Sequence, residues 1–156
     1  MPELPALGRT LGQRFILEQQ IGAGGMGTVY RARDVQTDRM VAIKVLQPHG
    51  TPQEAERFAR EAQLLAGLQH PHIVSYIADG LDDAGQPYLA MEWLEGEDLA
   101  QCLRHRRLTL PECVALLLGA SAGLAEGHQR GIVHRDLKPA NLFLRGGNPA
   151  NVMLLD

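Results

Sequence analysis

Four glycines, Gly22, Gly24, Gly25 and Gly27, fall within six residues, and strand-forming chemistry lies on both sides of them. Phe15 to Ile21 is apolar-rich before the cluster. Thr28-Val29-Tyr30, β-branched and aromatic, follows it directly. A glycine turn that opens a helix does not fit this pattern, so the chain folds here as strand, turn, strand. After a polar turn from Asp34 to Arg39, Met40 to Leu46 is a further strand. Val41, Ile43 and Val45 share one of its faces, and Ala42, Lys44 and Leu46 the other. Close strands joined by short turns predict an antiparallel meander.

Helix signals come later in the chain. Thr51-Pro52-Gln53-Glu54 reads as an N-cap, a first-turn proline and a capping box. Phe58, Ala62, Leu65 and Leu68 then recur at helical spacing. Two strands are expected over Ile73 to Ile77 and Tyr88 to Met91, around a turn at Asp82-Asp83-Ala84-Gly85. Glu97 to Arg106 reads as a short helix. Thr109 to Gln129 reads as a longer one, with a second capping box at Thr109-Leu110-Pro111-Glu112 and a stop at Gly131. Its run Val114 to Leu118 is apolar without interruption, which predicts burial on most sides. The tail from Ile132 holds a loop, then two short strands around Gly146-Gly147-Asn148-Pro149. Strands first and helices second imply an α+β fold of two lobes. Residues 1–14 are expected to be a flexible leader.

Composition sets limits without naming a chemistry. The 156 residues carry 15 Lys+Arg against 18 Asp+Glu, a formal charge of −3. That balance argues against nucleic acid and a membrane surface as partners. No apolar run reaches the roughly 18 residues of a membrane helix, and the N-terminus has no signal-peptide pattern. The two cysteines, Cys102 and Cys113, suit small buried thiols in a reducing compartment. Together these features imply a soluble, cytoplasmic protein.

Four elements carry chemical information. The first is Ile21-Gly22-Ala23-Gly24-Gly25-Met26-Gly27-Thr28-Val29, a G-x-G-x-x-G-x-V. Glycines let backbone N–H groups approach phosphate oxygens, though an ordinary hairpin turn has the same composition. The second is Val41-Ala42-Ile43-Lys44. Ala42 leaves room for a flat ring, and Lys44 on the same face can reach phosphates of one ligand or simply meet solvent. The third is Glu61, which falls inside the apolar stripe of its helix. A carboxylate pointing inward needs a cation, and Lys44 is the candidate; the alternative is a solvated stripe edge. The fourth is His134-Arg135-Asp136-Leu137-Lys138-Pro139-Ala140-Asn141, a charged loop. Asp136 and Asn141 suit a hydroxyl proton and a hard cation, and Lys138 a phosphoryl charge. His70-Pro71-His72 lacks a third ligand in sequence and reads as a helix-to-strand loop.

Taken in order, the four elements resemble the signature set of the protein kinase family, in its bacterial serine/threonine form. The resemblance covers roughly residues 15–156. It implies a strand-rich N-lobe with one helix over 15–92 and a hinge with part of a mostly helical C-lobe over 93–156. It implies ATP and Mg²⁺ as cofactors and Ser/Thr-bearing proteins as substrates. Gly22 to Gly27 would cover the ATP phosphates, and Lys44, held by Glu61, would bind them. Ile21, Val29 and Ala42 would roof the adenine, with Phe143 beneath. Met91 would be the gatekeeper, the backbones of Glu92 and Leu94 would bind the adenine edge, and Asp98 the ribose. Asp136 would accept the hydroxyl proton, Lys138 would stabilise the γ-phosphoryl, and Asn141 and Asp156 would hold Mg²⁺.

The sequence stops at Asp156, where the family continues with Phe-Gly and the rest of the C-lobe. The resemblance therefore predicts a fragment with weak or absent transfer. The competing expectation is an ATP-binding or interaction module without phosphotransfer. Helix positions Val114–Leu118 and Leu124 would lose partners and form an association surface.

Overall fold

A computed structural model describes residues 6–24, 27–48 and 50–155. The chain divides into two units, Met1–Gly67 with Tyr76–Trp93, and Leu68–Ser75 with Leu94–Asp156. The division differs from a single cut at residue 92, because Leu68–Ser75 belongs with the second unit.

The first unit is built on the glycine hairpin. A two-residue strand, β1 (Thr10–Leu11), precedes β2 (Phe15–Gly24) and β3 (Gly27–Asp34), and β4 (Arg39–Leu46) follows. After α1 (Pro52–Ala66) come β5 (Tyr76–Leu81) and β6 (Pro87–Glu92). The six strands form one sheet in the order β1-β2-β3-β4-β6-β5, with every neighbour antiparallel. Phe15, Leu17, Tyr30, Ile43, Val45 and Tyr88 belong to one buried cluster. Leu11 joins it, 1% exposed, with Thr10 paired to Ile16 and Leu11 to Phe15. The core thus reaches back into the stretch expected to be a leader. A strand of two residues has no periodicity by which to announce itself.

α1 starts where its capping box predicts. The Thr51 hydroxyl accepts from the Glu54 amide at 3.2 Å, and the Glu54 carboxylate accepts from the Thr51 amide. Phe58 and Ala62 are its buried residues, and it packs beside β5 and β6. β5 begins at Tyr76, not Ile73. Ile73 instead forms an isolated parallel bridge with Leu154, and the Val74 amide donates to the Leu154 carbonyl at 3.1 Å. That competing partner pulls Ile73 and Val74 out of the first sheet.

The second unit contains β7 (Gly96–Asp98), α2 (Leu99–His105), α3 (Leu110–Gln129), β8 (Leu142–Arg145) and β9 (Val152–Leu154). β7, β8 and β9 form a three-stranded antiparallel sheet. The helix expected from Glu97 therefore starts later, at Leu99. Asp98 caps it, accepting from the Gln101 amide at 2.8 Å, while Glu97 stays in the strand. The box at Thr109 and Glu112 opens α3 as predicted.

Burial of α3 is one-sided, which corrects the expectation drawn from Val114–Leu118. Leu116, Gly119, Ala120, Gly123 and Gly127 are buried, and the helix packs on β9 and the short turn Pro149–Asn151. Val114, Leu117 and Leu118 are 49%, 62% and 67% exposed. The close face is made of small residues, so large apolar side chains are left pointing outward. By length and composition alone α3 is apolar enough to cross a membrane, although its uninterrupted apolar run falls short of the roughly 18 residues of a membrane helix.

Candidate active site

In the first unit, strand register brings the predicted residues onto one face. Gly22 lies opposite Val29, Val29 opposite Lys44, and Lys44 opposite Leu89. Ala42 lies opposite Met91 in the neighbouring row. Directly paired residues of antiparallel strands point to the same side. Val29, Ala42, Lys44 and Met91 therefore share the face opposite Ile43 and Val45.

Lys44 meets the helix glutamate as expected. Its Nζ lies 3.1 Å from Glu61 Oε1 and 3.4 Å from Oε2. The Lys44 side chain is 9% exposed and the Glu61 side chain 21%. A two-pronged, largely desolvated pair holds the ammonium against both strand and helix.

The glycines divide into two kinds. A Cβ on Gly27 would collide with the Val45 carbonyl of β4, so the sheet itself requires glycine there. A Cβ on Gly22 or Gly24 would meet nothing within 4 Å, and neither has a positive φ. Packing gives no reason for glycine at those two exposed positions. Ile21 and Ala23 beside them are exposed as well. Gly25 and Met26 lie outside the described residues.

The second unit holds the charged loop. Asp136 sits between two donors: Lys138 Nζ is 2.8 Å from its Oδ2 and Asn141 Nδ2 is 3.2 Å from the same oxygen. Asn141 Nδ2 also donates to the Asp136 carbonyl at 2.9 Å. The hydrogen bond from Lys138 is the main reason the Asp136 carboxyl is held below its usual range, so it is ionised at neutral pH. Arg135 has φ +62°, a left-handed conformation uncommon for a side chain of this size, and it turns the loop between His134 and Asp136.

The loop is fastened by a group whose role the sequence did not reveal. His134 Nδ1 accepts from the Asp136 amide at 3.3 Å, and Nε2 therefore donates to the Leu155 carbonyl at 3.0 Å. The Leu155 amide donates to the Asn141 carbonyl at 3.0 Å. One imidazole thus links the loop to the segment that leads to Asp156, which itself lies outside the described residues. His72, read only as part of a loop, packs its ring on Gly119, and its Nδ1 meets the Val152 carbonyl at 2.6 Å. The spacing of Gly119, Gly123 and Gly127 was the available signal for that close approach.

Asp98 and Phe143 are register partners on β7 and β8, and so share a sheet face. Asp98 also caps α2. Glu92 ends β6 opposite Val41, and Leu94 begins the longer segment of the second unit.

The model of the protein kinase domain matches residues 15–156. The chain belongs to the protein kinase family. This kinase chain is 40% identical over 151 residues to the probable serine/threonine-protein kinase SCO3848 of Streptomyces coelicolor, covering 93% of itself and 22% of that protein. It is 36% identical over 155 residues to the serine/threonine-protein kinase pkn3 of Myxococcus xanthus, covering 96% of itself and 28% of the relative. Among solved structures, the kinase domain of PknI from Mycobacterium tuberculosis superposes with a TM-score of 0.82 at 31% identity. That match covers 98% of this chain and 61% of the PknI chain. The kinase chain thus spans about a quarter of these curated relatives and about three-fifths of the solved domain. The kinase fold read from the motifs is the fold it has.

Proposed function

We propose that this chain binds ATP with Mg²⁺ and serves transfer of the γ-phosphoryl group to Ser or Thr hydroxyls of proteins. The observation that carries the reading is the Lys44–Glu61 pair, which holds a cation on the strand face shared with Val29, Ala42 and Met91. Gly22 and Gly24 support it, because their lack of side chains serves no packing purpose. Backbone amides there can approach phosphate oxygens closely.

The loop residues fit a metal and an acceptor hydroxyl. Asn141 commits its amide nitrogen to Asp136, which leaves its carbonyl oxygen as the hard donor for a cation. When bound, Mg²⁺ neutralises charge on the phosphate oxygens. Ionised Asp136 would orient the hydroxyl and take its proton. Lys138, now on Asp136, would lend its charge to the phosphoryl oxygens. Met91, Glu92 and Leu94 would meet the adenine edge, Phe143 its face and Asp98 the ribose. Ile21 would complete the roof. The Ser/Thr preference rests on Lys138-Pro139, which resembles the serine/threonine-type form of this loop, and on the names of the relatives. The same reading puts the chain in the cytoplasm, where ATP is supplied.

Thermal unfolding with and without Mg·ATP is the direct test. The melting temperature should rise with nucleotide, and Lys44→Ala should remove most of the rise. A folded chain whose melting point ignores saturating Mg·ATP would overturn the reading. Where phosphotransfer is measurable, Asp136→Asn should abolish it while the nucleotide-dependent melting shift persists.

A further inference from the structure

A group of side chains outside the kinase motifs has the composition of a metal site. Glu97, Cys102 and His105 place one potential ligand atom each within 4.8 Å of the other two. Local structure explains the convergence. Cys102 and His105 are three residues apart on α2, so they share a helix face. Asp98 ends β7 and caps that helix, and Glu97 just before it turns its carboxylate back to His105 on the helix. His105 Nε2 meets Glu97 Oε2 at 2.6 Å.

Burial is graded across the three. Cys102 is fully buried, while the Glu97 and His105 side chains are 27% and 58% exposed. The sulfur forms a floor, with the carboxylate and imidazole at the rim. Arg106, the next cation along the chain, directs its guanidinium to Glu112 at 2.9 and 3.1 Å and also lies within hydrogen-bond reach of Cys102, where it would be a second donor to a metal-bound thiolate.

We propose that Glu97, Cys102 and His105 form a Zn²⁺ site with its fourth position open to water. Thiolate, imidazole and carboxylate are the ligands zinc takes, and three protein ligands with one open position is an established zinc geometry. Bond lengths of about 2.0–2.3 Å put tetrahedral ligand atoms roughly 3.3–3.7 Å apart, so separations of up to 4.8 Å must close by about 1–1.5 Å while the 2.6 Å His105–Glu97 contact opens by about 0.7 Å. The exposed rims of Glu97 and His105 can make that movement. The Cys102 proton is released to solvent on binding. The ion would tie β7 to α2.

The test uses the reduced, metal-free chain titrated with Co²⁺ and then Zn²⁺. The site predicts a thiolate-to-cobalt band in the near ultraviolet at one equivalent, with tetrahedral visible bands, all displaced by Zn²⁺. Cys113→Ser should keep the band and Cys102→Ser should lose it. His105→Gln, at an exposed position, should weaken cobalt affinity by at least about tenfold with unchanged circular dichroism. No band in the folded wild type, a band that survives Cys102→Ser, or indifference to His105→Gln overturns the site. Should Cys102→Ser fail to fold, His105→Gln decides alone.

Discussion

Asp34 closes the β3–β4 hairpin that carries Lys44, and its replacement by asparagine has a calculable consequence. Asp34 Oδ1 accepts from Arg14 Nε at 2.9 Å and the Gln36 amide at 3.0 Å. Oδ2 accepts from Arg14 Nη2 at 2.8 Å and the Thr37 hydroxyl at 3.1 Å. Only 2% of the Asp34 side chain is exposed. The Arg14 hydrogen bond lowers its pKa from 3.8 to about 2, against the opposing pull of burial. Each unit is worth about 1.4 kcal/mol, so the ionised pair contributes about 2.4 kcal/mol at neutral pH. A depressed carboxyl stabilises above its unfolded pKa, near 3.8, and loses that contribution as pH falls through about 2. At pH 2.5 less than about 1 kcal/mol should remain. An asparagine amide in its place would present an N–H group to the Arg14 fork and carry no charge. Asp34→Asn should therefore lose about 2 kcal/mol or more at pH 7, and the gap to wild type should narrow by about 1.6 kcal/mol by pH 2.5. Urea unfolding followed by the single tryptophan, Trp93 of the same unit, measures both. A gap that stays constant from pH 7 to 2.5 would refute the assignment of Asp34's charge to the Arg14 pair.

Other outcomes are as specific. Glu61→Gln should weaken Mg·ATP binding by about tenfold or more, since Lys44 loses the carboxylate at 3.1 Å that orients it, with calorimetry as the readout. Gly119→Ala would put a Cβ 2.8 Å from His72 Cε1 and Val152 Cγ1, and should destabilise the chain by about 1–3 kcal/mol in denaturant melts. Ser121→Ala, on the exposed side of α3, should change stability by less than about 0.5 kcal/mol. Thr109→Ala removes the α3 cap and should lose about 1 kcal/mol, with the loss visible as reduced helicity at its melting midpoint.

Legibility in the sequence follows the range of the interaction involved. The caps at Thr51 and Thr109 were readable because donor and acceptor lie three residues apart. Lys44 and Glu61 are 17 residues apart, yet each revealed its facing through strand alternation or helical periodicity. The order of the four motifs determined the kinase family membership and the fold with it. Other features depended on partners that no local pattern names. Leu11 enters the core through a two-residue strand. Ile73 and Val74 leave the first sheet because Leu154, near the other end of the chain, offers them hydrogen bonds. The α3 run expected to be buried on most sides buries only Leu116, and the helix packs mainly along its small residues, because close approach selects glycine and alanine. The glycine cluster was visible at once, but its residues looked alike until β4 came against Gly27 and left Gly22 and Gly24 open. Residue types and spacings by themselves determined which chemistry the chain carries. Tertiary contact decided which of those residues the fold needs and which it leaves open, because only a neighbour distant in sequence can occupy, or leave empty, the space beside a side chain.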